Sequence, residues 1–235
     1  MIEIKNVTKK YGDKEAIKNI SFDIKDGEIF GFIGHNGAGK TTMIKSLVGI
    51  LNFDNGDIII NNKSIKEDSI ACKLEMAYVP DNPDLYENMT AIDFINFVCD
   101  MYGTEENIRK ENIEKYSKMF EMENKLNDYI SSFSHGMKQK VALIAALSHN
   151  PKVLIMDEPF VGLDPKAVFD IKSVMKEMTK EGKTIFFSTH ILDVAEKLCD
   201  RVAIIKNGNI VKIGKMKDIK GDSSLEEVFL ELEEK

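Results

Sequence analysis

Over the first 33 residues, short apolar stretches alternate with polar breakers. Ile2-Glu-Ile-Lys, the alternating run 16–24 and the run 28–33 are separated by Gly12 and by Asp26-Gly27, the spacing of short antiparallel strands joined by turns. Ile29-Phe-Gly-Phe-Ile has no polar member and reads as a strand buried on both faces, and residues 42–48 continue at helical period. Asn55-Gly56-Asp57 predicts a turn into a strand from Ile58, and Met76-Ala-Tyr-Val a further strand closed by Pro80. From Met89 the period becomes helical. Thr90 with Asp93 forms a capping box, Met89 and Phe94 form the staple around it, Ile92, Ile95 and Val98 make one face, and Gly103 is the stop. A more charged helix with Ile108, Ile113, Tyr116 and Phe120 follows, its charges read as a solvated face. Strands and helices then alternate again: a strand at 152–156, a helix from Pro165 capped by Asp164, a strand at 183–188 and a helix from Ile191. The run 202–213, split at Asn207-Gly208, predicts a hairpin, and a terminal amphipathic helix starts near Ser224. The expected architecture is α/β, a single domain over 1–235. Residues 1–85 and 151–235 form its core with an antiparallel β subdomain, and residues 86–150 an inserted helical subdomain.

The 235 residues carry a net charge of −7 with 30% charged residues of mixed sign, which argues against a basic surface for nucleic acid or anionic lipid. Cys72, Cys99 and Cys199 are odd in number, widely spaced and flanked by apolar residues, as expected of buried thiols in a reducing cytosol. The four histidines lack ligand spacing and give no case for zinc. No secretory signal is visible at the start, and apolar runs such as 141–147 fall far short of the roughly 18 residues that span a bilayer.

The candidate chemistry begins where the 29–33 strand meets Gly34-x-x-x-x-Gly39-Lys40-Thr41. Phosphate oxygens need many donors at close range. Glycines at 34, 37 and 39 let backbone N–H groups approach, the helix that follows aims its first amides at the same spot, Lys40 adds a point charge and Thr41 a hydroxyl for Mg2+. A second stretch, Val153-Leu-Ile-Met-Asp157-Glu158, ends a buried strand in two carboxylates. Asp157 is placed to hold Mg2+ through a water and Glu158 to polarise an attacking water. Tyr11, beside the Gly12 turn, is read either as a face for a purine or as an ordinary strand-end tyrosine.

The order of these motifs resembles the nucleotide-binding subunit of ATP-binding cassette (ABC) transporters over nearly the whole chain. The family's Leu-Ser-Gly-Gly-Gln signature aligns with Phe133-Ser134-His135-Gly136-Met137, and His190 follows Phe187-Ser-Thr as the switch histidine does. The resemblance implies a P-loop NTPase (RecA-like) core and the ligands ATP and Mg2+. It puts Tyr11 on adenine and the loop Gly34, His35, Asn36, Gly37, Ala38, Gly39, Lys40, Thr41 and Thr42 around the phosphates. Asp157 supports the metal, Glu158 is the general base, and Lys40 and His190 attend the terminal phosphate. Ser134, His135 and Gly136, with Asp164 of the Gly162-Leu-Asp164 D-loop, face ATP bound to a second cassette. A homodimer on the cytoplasmic membrane face, driving separate integral-membrane permease subunits and binding no nucleic acid, is the expected assembly. Tyr78-Val-Pro-acid, Ser-His-Gly-Met-Lys-Gln-Lys and Leu-Glu-Glu-Val-Phe-Leu are similar to subunits of ABC-2-type exporters. Among the departures from the family pattern, Asp81 stands where a metal-contacting glutamine is usual, and His135 and Met137 replace a glycine and a glutamine of the signature. A non-transport ABC ATPase on nucleic acid or ribosomes fits the acidic balance poorly, and a module that holds ATP without cleaving it leaves Glu158 and His190 without a role.

Overall fold

The computed structural model describes residues 1–234. In chain order the strands are β1 (Ile2–Tyr11), β2 (Lys14–Ile24), β3 (Ile29–Ile33), β4 (Asn55–Ile60), β5 (Lys63–Ser64), β6 (Met76–Val79), β7 (Val153–Asp157), β8 (Thr184–Thr189), β9 (Arg201–Lys206) and β10 (Asn209–Lys215). The helices are α1 (Lys40–Leu47), α2 (Ser69–Leu74), α3 (Ala91–Met101), α4 (Glu106–Met119), α5 (His135–Ser148), α6 (Pro165–Lys180), α7 (Leu192–Leu198), α8 (Met216–Lys220) and α9 (Leu225–Glu234).

The uniformly apolar run 29–33 is an interior strand: β3 pairs in parallel with β8 on one side and β9 on the other. The larger sheet runs β10-β9-β3-β8-β7-β6, with only β10 antiparallel, at its edge. A four-stranded antiparallel sheet, β2-β1-β4-β5, covers one of its faces. The pleat divides the core in two. Phe30, Phe32, Val153, Ile155, Phe186, Ala203 and Ile205 pack with α1 and the smaller sheet, where Phe22 stacks on Phe30 with ring centroids 5.2 Å apart. Ile29, Ile33, Leu154, Met156, Ile185, Phe187, Val202 and Ile204 point the other way, toward α3 to α7 and α9. Helices α3, α4 and α5 stand together in sequence between β6 and β7, and α5 carries a nearly continuous buried run from Val141 to Ser148.

The local stop and start signals act as the sequence predicts. Thr90 Oγ1 accepts from the Asp93 N–H at 3.2 Å, and after α3 Thr104 N–H reaches Cys99 O at 2.9 Å across Gly103 in the left-handed region. Asp164 caps α6 by accepting from Ala167 N–H at 2.8 Å, and Ser224 and Glu227 exchange two bonds at the start of α9. One turn lies elsewhere than expected. Asn55 and Gly56 already belong to β4, where Gly56 (φ 87°) sits at a break in register opposite Lys5 and Asn6, so close that a Cβ would lie 2.3 Å from Lys5 O. The chain reverses after β4, at Asn61-Asn62, both with positive φ. The three cysteines are free and buried. Among the described residues no helix is long and apolar enough to cross a membrane.

Candidate functional site

Because β3, β6, β7 and β8 are parallel, their carboxyl ends meet at one edge of the sheet, the place where open α/β sheets bind ligands. The phosphate loop leaves β3 there, Asp81 follows β6, Asp157 ends β7 and His190 follows β8. A cavity of about 740 Å3 opens at this edge. It is lined by Asn36, Gly37, Gly39, Lys40, Thr41 and Thr42 of the loop and the start of α1, by Asp81 and Glu158, and by Tyr11 with Asp13 to Ala16. Tyr11 is 52% exposed at the end of β1, leaving ring surface open to a planar ligand.

Two glycines of the loop are fixed by the space around them. A Cβ on Gly34 would lie 2.5 Å from Ile205 O, and one on Gly39 (φ 115°) 2.6 Å from Ala16 O. Gly34, His35 and Ala38 are not on the cavity wall. Their carbonyls shape the loop: Lys40 Nζ donates to Gly34 O at 2.7 Å and to His35 O at 3.3 Å, and Gly208 N–H donates to Ala38 O at 3.0 Å. Lys40 is 6% exposed, its ammonium held against the loop by these bonds.

The acidic side is tightly linked. Asp157, 2% exposed, accepts a hydrogen bond from the Ser188 hydroxyl, and that hydroxyl accepts from the Glu158 N–H at 3.2 Å. Glu158 has φ 48°, a strained value for a side chain with a Cβ, and strain of this kind gathers at functional sites. Its Oε2 meets His190 Nδ1 at 2.9 Å and accepts from the His190 backbone N–H at 3.2 Å. Its Oε1 lies 3.2 Å from Lys40 Nζ as a charge contact without hydrogen-bond alignment. The Asp81 carboxyl is raised from its ordinary pKa, first by its partial enclosure and then by the charges of Asp157 and Glu158, with His135 and His190 pulling it back. Acidic groups and the loop lysine thus converge where a triphosphate's end would lie.

Ser134, His135, Gly136 and Asp164 lie outside this cavity. Ser134 Oγ accepts from Met137 N–H at 3.4 Å and caps α5, while Lys140 Nζ meets Asp164 at 2.9 Å. A Cβ on Gly136 would lie 3.1 Å from Gly162 O, and one on Gly162 would lie 3.0 Å from the His135 ring, so the start of α5 is seated on the 162–164 turn.

Residues 17–161 match the family model described as ABC transporter. The chain belongs to the ABC transporter family, as an ATP-binding subunit. The ABC-type transporter ATP-binding protein EcsA of Bacillus subtilis is 34% identical over 99% of this chain and 96% of its own length. The linearmycin resistance ATP-binding protein LnrL of the same organism is 36% identical over 93% of this chain and 70% of its own length. A solved ATP-binding subunit of an ABC transporter superposes with a TM-score of 0.96 at 33% identity, covering 99% of each chain. A dimeric cassette in a post-hydrolysis state bound to ADP and Pi superposes with a TM-score of 0.83 at 27% identity, covering 92% of this chain and 99% of that one. This cassette therefore binds ATP and hydrolyses it, in a family whose ATP-binding subunits work as dimers with membrane permeases.

The cassette's cavity has walls that the sequence did not reveal. Lys14, Ala16, Lys18, Asn207 and Gly208 line it beside the expected residues. Gly208 O accepts from Lys18 N–H at 2.8 Å, so the β9–β10 turn ties β2 to the phosphate loop. Asn207-Gly208 is legible as a hairpin turn, but nothing local says that it leans on that loop. Ser188 is legible only as part of the Phe187-Ser-Thr run before His190, and nothing local says that it meets Asp157.

Proposed function

We propose that two copies of this cassette close head to tail around two ATP molecules on the cytoplasmic face of the membrane and drive export through separate permease subunits. The observation that carries the reading is the position of the signature: the donors at the start of α5 are outside the phosphate cavity of their own chain and free to serve a second copy. The dimeric ADP- and Pi-bound relative and the resistance protein among the relatives support it.

In this reading Tyr11 stacks on the base. The amides of 34–42 and Lys40 hold the phosphates, and Ser134, His135 and Gly136, with Asp164, complete the site of the partner copy. The donor set fits Mg2+. Among the described residues no group of three His, Cys, Asp or Glu could hold a metal, as suits an ion that keeps waters and borrows phosphate oxygens; Thr41, Asp157 and Asp81 are the protein groups that would attend it. When bound, Mg2+ neutralises charge on the transferring phosphoryl group. Glu158 orients and deprotonates the attacking water, held in place by His190, which reports the terminal phosphate back to it. Asp81 and the loop through Asn88 link this site to the surface that meets the permease, where Tyr86 and Phe97 form an exposed aromatic pair with centroids 5.8 Å apart. The acidic balance argues against nucleic acid as partner.

The test is to tag the chain, solubilise native membranes in mild detergent and identify what co-purifies. A stoichiometric partner with several apolar spans of roughly 20 residues is expected. Recovery only in the soluble fraction with ribosomes or nucleic acid would overturn the reading.

A further inference from the structure

The hairpin whose turn lines the phosphate cavity is held on both of its faces. Side chains alternate along β9, so Ile205 packs toward α1 and the smaller sheet, while Ile204 and, two residues on, Lys206 face the helical layer. On the first face the hairpin backs the phosphate loop. A Cβ on Gly34 would lie 2.5 Å from Ile205 O and one on Gly39 3.2 Å from Ile205 Cδ1, and Gly208 N–H donates to Ala38 O at 3.0 Å. The loop thus keeps its shape only while the end of β9 stays where it is.

On the second face Lys206 reaches α9. Its Nζ donates to Leu232 O and to Glu233 O, each at 2.9 Å. Carbonyls in the last turn of a helix lack a later N–H to pair with, and they stand at the negative end of the helix dipole. That turn of α9 carries Glu231 and Glu233 and no basic residue of its own. The cation that satisfies it comes instead from β9, so the bond joins α9 to the hairpin. The other end of α9 is fixed too. Ser224 Oγ accepts from Glu227 N–H at 3.1 Å, and Leu225, fully buried, donates its N–H to Glu196 Oε2 at 2.8 Å. A helix anchored at its start offers Lys206 a firm point to hold.

We propose that Lys206 is a positioning residue for nucleotide binding: by tying the last carbonyls of α9 to the β9–β10 hairpin, it holds the Asn207-Gly208 turn against Ala38 and keeps the phosphate loop in the shape that presents its amides. Two charge-assisted hydrogen bonds on one ammonium fix the strand end two residues from Gly208. Without them the hairpin and the loop it backs sample conformations in which fewer amides converge, and affinity falls by the share of the binding-competent form that is lost. Lys206 does not line the cavity, so the effect belongs to binding and not to turnover. This role needs ATP binding by one cassette and not the pairing of two.

The experiment compares the full-length wild type with Lys206→Met, Lys206→Arg and Ser224→Ala. The last removes the cap at the far end of α9 and serves as a control for stability alone. Lys206→Met and Ser224→Ala should each lower the melting temperature by about 2–4 °C. Mg-ADP affinity, read by isothermal titration, should fall about five- to tenfold in Lys206→Met, which loses two bonds to a charged donor, and stay within about twofold in Ser224→Ala. Lys206→Arg, whose guanidinium can donate to both carbonyls, should recover most of the loss. In steady-state hydrolysis by Lys206→Met, KM for ATP should rise while kcat stays within about twofold. Amide hydrogen exchange over 34–42, measured without nucleotide, should speed up in Lys206→Met and not in Ser224→Ala. Wild-type ADP affinity in Lys206→Met would overturn the proposal, as would unchanged exchange over 34–42. Equal weakening of ADP binding in Ser224→Ala would also overturn it, because the effect would then be one of general stability.

Discussion

Glu158→Gln separates two things that one carboxylate does in this site. Glu158 Oε1 is 3.2 Å from Lys40 Nζ, with the two side chains 12% and 7% exposed. At an effective dielectric of about 20, Coulomb's law gives roughly 5 kcal/mol for such a pair. Most of that is offset by desolvation and by the bonds that Lys40 keeps to Gly34 O and His35 O in either variant. A phosphate entering the cavity must displace the carboxylate as the lysine's counter-ion. Neutralising Glu158 removes the competitor, and a residue of about 1–2 kcal/mol corresponds to a 5- to 30-fold gain in nucleotide affinity. ADP is the ligand to use, because it cannot turn over and lacks the terminal phosphate that His190 and a second copy would engage. Isothermal titration of the purified chain with Mg-ADP reads the effect directly. An ADP affinity that is unchanged or weaker in Glu158→Gln would refute the competition argument. The same variant should lose steady-state ATP hydrolysis by about a hundredfold or more, because general-base catalysis contributes on that order. Near-normal turnover would remove Glu158 from the mechanism.

Two further predictions concern stability. His149 stacks on Tyr102 with ring centroids 3.7 Å apart, and burial pulls its pKa down to about 4. The unfolded chain takes up this proton first as pH falls below about 6.5, so the stability contributed by the neutral imidazole is complete at neutral pH and is lost on acidification toward pH 4; the loss between pH 7 and pH 5 is about 2 kcal/mol. His149→Phe keeps the stack and should lose correspondingly less stability over that interval, read by urea unfolding at both pH values; equal losses in wild type and variant would refute the assignment. Gly208 has φ 80°, and a Cβ there would lie 2.8 Å from Ala16 O. Gly208→Ala should therefore cost about 1–3 kcal/mol and weaken ADP binding by loosening the phosphate loop it bonds to, and a wild-type melting temperature with wild-type ADP affinity would count against that link.

Much of the site is legible in the chain because its signals are local. The caps at Thr90, Ser134 and Asp164 work over three residues, the phosphate loop is one continuous segment between its strand and helix, and the carboxylates follow directly on the strand that buries Val153 to Met156. The short helix α2 is hidden for the converse reason: Ile70 and Leu74 are exposed, so its apolar residues do not mark a buried face. The reversal at Asn61-Asn62 is hidden because Asn-Gly is the stronger turn signal, and here a strand irregularity uses it.

Composition, element order and motif identity thus follow from the sequence, since each depends on neighbours a few residues apart. The tertiary structure decided what meets what. Parallel pairing of β3, β7 and β8 brings Lys40 to Glu158 and Ser188 to Asp157, and the hairpin at Asn207-Gly208 becomes a wall of the phosphate cavity by resting on Ala38. The same packing seats α5 on the 162–164 turn, which puts Ser134 outside its own chain's cavity. Contacts between residues tens to more than a hundred positions apart are set by strand order and sheet twist, and no local pattern of apolar and polar residues encodes them.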